Sequence, residues 1–224
     1  MDSANFHFVF PKDETTDFLQ EVIDHIIDNT EANVTIHRLS TVDEHVNFFA
    51  NAQTLIPRNA TIMFMGHGMS YAVSGAHTPD LTYGPYVSEN QLSIFKDRKV
   101  VLLTCRSNEY LNNYGLESGL KAGIGFPNLI TDDYELIHPD EPERVNGVTN
   151  QNVKDFRRCL LDIIKFSLED YINLELSFYQ LFKRIQIRVQ RHLIGFYTNN
   201  RNLGKLPYGK MLYDLNHGIE FIGN

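Results

Sequence analysis

Short apolar runs alternate with helix-period stripes in the first half of the chain, and long helical stripes take over in the second. Phe6 to Phe10 is an aromatic and β-branched run stopped by Pro11, and the segment after it places Phe18, Val22, Ile26 and Ile27 on one helical face. Residues 34 to 39 read as the next strand, and Ser40 or Thr41 offers an N-cap to a helix whose inward stripe is Val42, Val46, Phe49 and Ala50. The continuous runs 60 to 65 and 100 to 104 have the character of central strands covered on both faces, and residues 123 to 130 read as a further strand. A helix is predicted from about Asn108 to Lys121. Strands alternating with helices in this way predict a mostly parallel α/β sheet.

Between the two central runs, residues 69 to 91 are rich in Ser, Gly, Thr, Pro and Tyr and read as a long loop with a hairpin around Tyr83 to Val87. Long loops inside compact domains are often functional. Residues 131 to 150 are acidic, and two long helices follow at about 152 to 171 and 174 to 193. The glycine-rich remainder reads as loop with a terminal strand at 219 to 222. This divides the chain into an α/β core, residues 1 to 150, and a helical part, residues 151 to 224, of the same domain or appended to it.

Composition narrows the function classes. The chain has 224 residues, enough for one well-buried core, and 42% are hydrophobic. A net charge of -8 excludes a broad phosphate-reading surface, and the cluster Lys183, Arg184, Arg188 and Arg191 reads as a solvated helix face. No run of about 18 apolar residues suggests a membrane span, and the first residues carry no basic leader. Two cysteines, Cys105 and Cys159, provide neither a disulfide framework nor a fourfold metal set, which points to a reducing, cytoplasmic setting. The histidines show no metal-ligand spacing, and the glycine-rich nucleotide motifs and the GxSxG elbow are absent, so no cofactor or metal is expected.

The candidate chemistry lies at two strand ends. Residues just past the carboxyl ends of parallel strands line the ligand crevice. His67 follows one central run and Cys105 ends the other. Gly66 and Gly68 let the chain turn sharply and let a substrate carbonyl approach the backbone. The amides of Gly68 and Cys105 are the natural oxyanion donors, each worth about 2.7 to 4 kcal/mol when well aimed. A helix starting after Cys105 is expected to lower the thiol pKa, with His67 as general acid and base. The bland reading is a packed Cys105 and a loop-bonded His67 in a Rossmann-like binding domain.

An apolar strand ending in His-Gly, followed by an apolar strand ending in Cys, resembles the caspase-like cysteine peptidases, which include caspases, metacaspases, separases, gingipains and bacterial CHAT domains. FMGHG at 64 to 68, LLTCRS at 102 to 107 and AGIGFPNLI at 122 to 130 look most similar to the core blocks of CHAT domains. The resemblance covers roughly residues 60 to 131. It implies a three-layer caspase-like sandwich and an endopeptidase that cleaves a protein or peptide substrate through a thioester, with defence or cell death as the setting. The QACxG segment of animal caspases is missing around Cys105, so aspartate specificity does not carry over. A basic P1 side chain would need a carboxylate, and Asp132 and Asp133 are the first candidates, ahead of Asp80 and the run Asp140, Glu141 and Glu143. A regulatory protein partner is expected on the late helices. An inactive interaction module binding a peptide or small ligand, and a thiol-dependent acyl hydrolase or transferase, are the alternatives.

Overall fold

The apolar runs become the strands of one sheet because each can be buried on both faces. In the computed structural model, which describes residues 5–89, 91–137, 139, 141–199 and 206–223, strand β1 (Asn5–Pro11) is followed by α1 (Gln20–Asn29), β2 (Asn33–Leu39), α2 (Val42–Leu55) and β3 (Thr61–Met65). Five short strands come next: β4 (Gly68–Met69), β5 (Ala72–Ser74), β6 (His77–Thr78), β7 (Leu81–Thr82) and β8 (Pro85–Ser88). The chain continues through β9 (Lys99–Leu103), α3 (Ser107–Tyr114), β10 (Ala122–Gly125), α4 (Tyr134–Ile137), α5 (Pro142–Val145), α6 (Asn150–Asn173), α7 (Phe178–Thr198), α8 (Leu206–Gly218) and β11 (Glu220–Gly223).

The main sheet has the order β11-β10-β9-β3-β1-β2. Its pairings are parallel except that of β10 with β11. Alternate residues of the central strands enter opposite core layers. Met63, Met65, Val101 and Leu103 pack with α1, α6, α7 and α8, whereas Ile62, Phe64, Val100 and Leu102 pack with α2 and α3. The C-terminal helices therefore share a core with the sheet, giving helices on both of its faces.

Several elements differ from the sequence reading. In α2 the inward residues are His45, Phe48 and Ala52, while Val42 and Val46 are exposed; burial of His45, bonded to the Thr41 carbonyl and the Ala76 amide, sets that rotation. Ile27 is likewise exposed. The expected loop 69 to 91 folds instead into two small antiparallel sheets, β4-β5-β8 and β6-β7. Helix α3 stops at Tyr114, β10 at Gly125, and the glycine-rich tail contains α8.

One hydroxyl fastens the turn that leaves β9. Fully buried Ser107 donates at 2.6 Å to the Leu102 carbonyl and 2.9 Å to that of Thr104, and accepts from the Phe126 amide at 2.8 Å. It thereby ties β9, α3 and β10 together. Ser107→Ala would strand the Phe126 N–H, so it is expected to cost about 1–3 kcal/mol in urea unfolding; a loss within error of zero would contradict this role.

Candidate active site

The register between β3 and β9 pairs Met65 with Leu103. His67 and Cys105 each lie two residues beyond that pair, at the carboxyl edge of adjacent parallel strands. The strand exits stay close: the Gly66 amide bonds the Leu103 carbonyl at 3.4 Å. A Cβ on Gly68 would come within 2.5 Å of the Thr104 hydroxyl and 2.8 Å of the Cys105 carbonyl, so only glycine fits. Gly66 takes a φ of +153°, the sharp exit expected of this glycine pair. The Ser74 amide bonds the His67 carbonyl at 3.0 Å, and Gly68 opposite Val73 is the next pair of that hairpin. Bonded and non-bonded pairs alternate in an antiparallel ladder, so the Gly68 N–H points away from β5.

After Cys105 the chain turns through Arg106 in a left-handed conformation, φ 55° and ψ 20°, before α3 begins. This is an uncommon geometry for a residue with a side chain and holds the cysteine at a sharp strand-to-helix corner.

His67 has partners that the sequence reading missed. Its Nε2 lies 2.7 Å from the Thr15 hydroxyl and 3.4 Å from the Asp13 carboxylate, in the turn that follows β1. Thr15 donates its hydroxyl proton to Asp13 at 2.7 Å, and its amide does so at 2.8 Å. The hydroxyl oxygen therefore accepts from His67 Nε2–H, which leaves Nδ1 with the lone pair in the neutral ring. Strand order reverses between β1 and β3, the place where α/β sheets form their ligand crevice. The rule that singled out His67 and Cys105 applies equally to Asp13, just past the first strand.

The electrostatics divide the site. Burial alone would lower the His67 pKa, but the hydrogen bond and charge of Asp13, with the charges of Glu135 and Asp132, raise it above the usual histidine value. Burial would raise Asp13, yet the bonds from His67 and Thr15 hold it at about 2. Glu135, on α4, was also missed; burial pushes it up to about 7 against the pull of the Thr131 amide and His67. On the other side, Arg106 and Arg144 stand near Cys105 and both pair with Glu141.

Cys105 departs from expectation. Its Sγ donates to the Leu129 carbonyl at 3.2 Å rather than bonding His67, and burial followed by the Glu135 charge pushes its pKa up to about 12, outweighing the two arginines. The thiol is thus neutral at rest, not the lowered thiol expected at a helix start. Buried Cys159 is also raised to about 12.

Asp132 and Asp133 sit apart in role. Asp132 contributes charge at His67 and caps α4 by accepting from the Tyr134 amide, whereas the Asp133 carbonyl accepts from the Leu136 amide. Among the weaker candidates, Asp80 lies in the β6–β7 turn, Glu141 holds the arginines, and Asp140 is outside the described residues. Among the described residues no group of three or more His, Cys, Asp or Glu side chains could hold a metal ion, and no helix is long and apolar enough to cross a membrane. No protein-family model and no curated protein matches the chain.

NMR titration of the His67 ring should give a pKa above about 6.5, and Asp13→Asn should lower it. A wild-type value at or below 6.5 would refute the coupling. The stability signs differ: the raised His67 contributes fully below pH about 6.5 and fades as pH rises through its folded pKa, whereas Asp13 contributes above about 3.8 and fades as pH falls through about 2. Gly68→Ala should separate the two strand exits and cost about 1–3 kcal/mol of stability in thermal or urea unfolding; an unchanged midpoint would argue against this close packing.

Proposed function

We propose that this chain is a caspase-like cysteine endopeptidase with Cys105 as nucleophile and His67 as general acid and base. The observation that carries this reading is the β3–β9 register, which sets the two residues at equivalent positions on neighbouring strand ends, with Gly68 packed against Thr104 and Cys105. The small sheets between β3 and β9, the sheet order and the layered helices are compatible with the three-layer sandwich that the resemblance implies.

In the reaction, Sγ swings from Leu129 and attacks the scissile carbonyl carbon while His67 Nδ1 takes its proton. The resulting oxyanion is met by the Gly68 and Cys105 amides. The tetrahedral intermediate collapses to a thioester as the imidazolium protonates the departing amine. Water then adds, giving a proton to His67, and the acid leaves as the thiol is restored. Asp13 and Thr15 hold the ring and support its cationic form. No metal or cofactor enters these steps.

Asp132 and Glu135, beside His67, make an acidic region suited to a basic P1 side chain; Asp133 belongs to the turn that supports it. A regulatory protein partner has exposed Ile187, Ile194 and Tyr197 on α7 as a contact face. A defence or cell-death pathway is the setting that the CHAT resemblance suggests. One observation favours the alternative of an inactive caspase-like module that binds a peptide: the thiol faces Leu129 and is strongly raised.

A basic-P1 peptidyl acyloxymethyl ketone should modify Cys105 and spare Cys159, whereas iodoacetamide, which brings no binding energy, should react slowly with both. Cleavage in a positional-scanning fluorogenic library should fall at least about 1000-fold in Cys105→Ala and His67→Ala. Equal labelling of both thiols by the ketone, or cleavage that survives Cys105→Ala, would sink the peptidase reading; peptide binding without turnover would establish the inactive module.

A further inference from the structure

We infer that the outer edge of β2 is the interface of a two-fold dimer, formed by antiparallel pairing of β2 with its copy about Ile36. Strand β2 ends the main sheet and pairs with β1 through all seven of its residues. The Lys12 amide bonds the Leu39 carbonyl, so the main-chain groups of Leu39, and by alternation of Asn33, Thr35 and His37, face β1. Those of Val34, Ile36 and Arg38 face outward. Edge strands are commonly protected by charged side chains, proline or a bulge. NVTIHRL has no proline, its register with β1 is unbroken, and its one charged residue, Arg38, is drawn onto Asp17 and over the Phe10 ring.

Both faces of the sheet leave groups beside this edge. On the α1 side, Ile36 is 43% exposed and Ile27 is 50% exposed. Glu21 and His25 pair with Lys165 and Glu169 of α6, and Ile27 lies about 200° around the helix from His25, on the flank toward the edge. On the α2 side a groove of about 380 Å³ runs between β2 and α2, lined by His37, Glu44, Asn47, Phe48, Asn51 and Leu55 among others. Gln53 is turned away, bonded to the Ser93 and Ile94 carbonyls.

A second copy fits because each group along the strip complements itself. Outward main-chain groups and the amides of Asn47 and Asn51 both donate and accept, and Ile27, Ile36 and Leu55 are aliphatic. A dyad at Ile36 sets Val34 opposite Arg38, so no like charges meet across the ladder. Glu44 caps α2 through the Ser40 and Thr41 amides, four residues beyond the dyad, which places the two copies of this charge about 13 Å to either side. His37, lowered to about 4 by burial and His7, is uncharged at neutral pH. Such a contact is isologous and closed, and it extends the sheet across the dyad.

Sedimentation velocity on the full chain through the micromolar range should show a dimer, and Ile36→Lys should raise its dissociation constant about tenfold or more while matching the wild-type melting temperature at dilutions where both are monomeric, since this side chain is exposed. Ile36→Cys should give a cross-linked dimer on mild oxidation, because Cα atoms of a directly bonded antiparallel pair lie about 5.5 Å apart, within disulfide reach. A wild-type monomer throughout that range, a dimer indifferent to Ile36→Lys, or an Ile36→Cys protein that does not cross-link would each overturn the inference, and binding of an extended peptide by such a monomer would assign the edge to another occupant.

Discussion

The parallel pairing of β3 with β9 is the constraint from which the site follows. Each strand is apolar beyond its first residue and covered on both faces, so neither can slip by one residue without moving Met63, Met65, Val101 and Leu103 out of one core layer and into the other. A register fixed by burial in the middle of the sheet is therefore transmitted to its edge. There Gly68 lies against Thr104 and Cys105 too closely for any side chain, and Ser107 binds the turn beyond. The positions of the imidazole and thiol are consequences of hydrophobic packing several residues away.

The neighbouring pair β1–β3 adds chemistry to that frame. Because strand order reverses between them, the turn after β1 is free to fold over the end of β3, and Asp13 and Thr15 occupy the crevice. Their bonds to Nε2 fix the ring and its tautomer together. Asp13 and Asp132 act at the histidine and Arg106 and Arg144 at the cysteine, while the charge of Glu135 reaches both.

Strands whose two faces are both buried were legible as continuous apolar runs, and so were His67 and Cys105 at their ends. Features decided by long-range packing were not. The rotation of α2 depends on His45 meeting Ala76, thirty-one residues away, which a hydrophobic stripe does not encode. Helix α8 was hidden by its glycines; Gly209 lies against the Phe196 ring with no room for a Cβ, so a residue that weakens a helix in isolation permits this one to pack on α7. The short strands between β3 and β9 are too brief for periodicity to register. Asp13 was legible in principle, by the same strand-end rule as His67, but Glu135 needed the fold of residues 131 to 137 to bring it near the site.

The resting thiol separates what positions the site from what controls it. His67, Gly68 and Cys105 are held by β3, β9 and the turn into α3; burial raises the thiol pKa first, and the two groups next to it that lie after β10 are Glu135, whose charge adds to that rise, and the Leu129 carbonyl, which accepts from Sγ. That segment is tied down through Arg106 to Glu141, Arg144 to the Asn128 carbonyl and Asp214, and Arg157 to the Thr131 carbonyl. The contacts of Sγ therefore come from a different part of the chain than the strands that set the β3–β9 register. Glu135 acts on both members of the pair, raising the pKa of the imidazole and of the thiol. Asp13 and Thr15, in the turn after β1, orient the imidazole independently of the segment that meets Sγ.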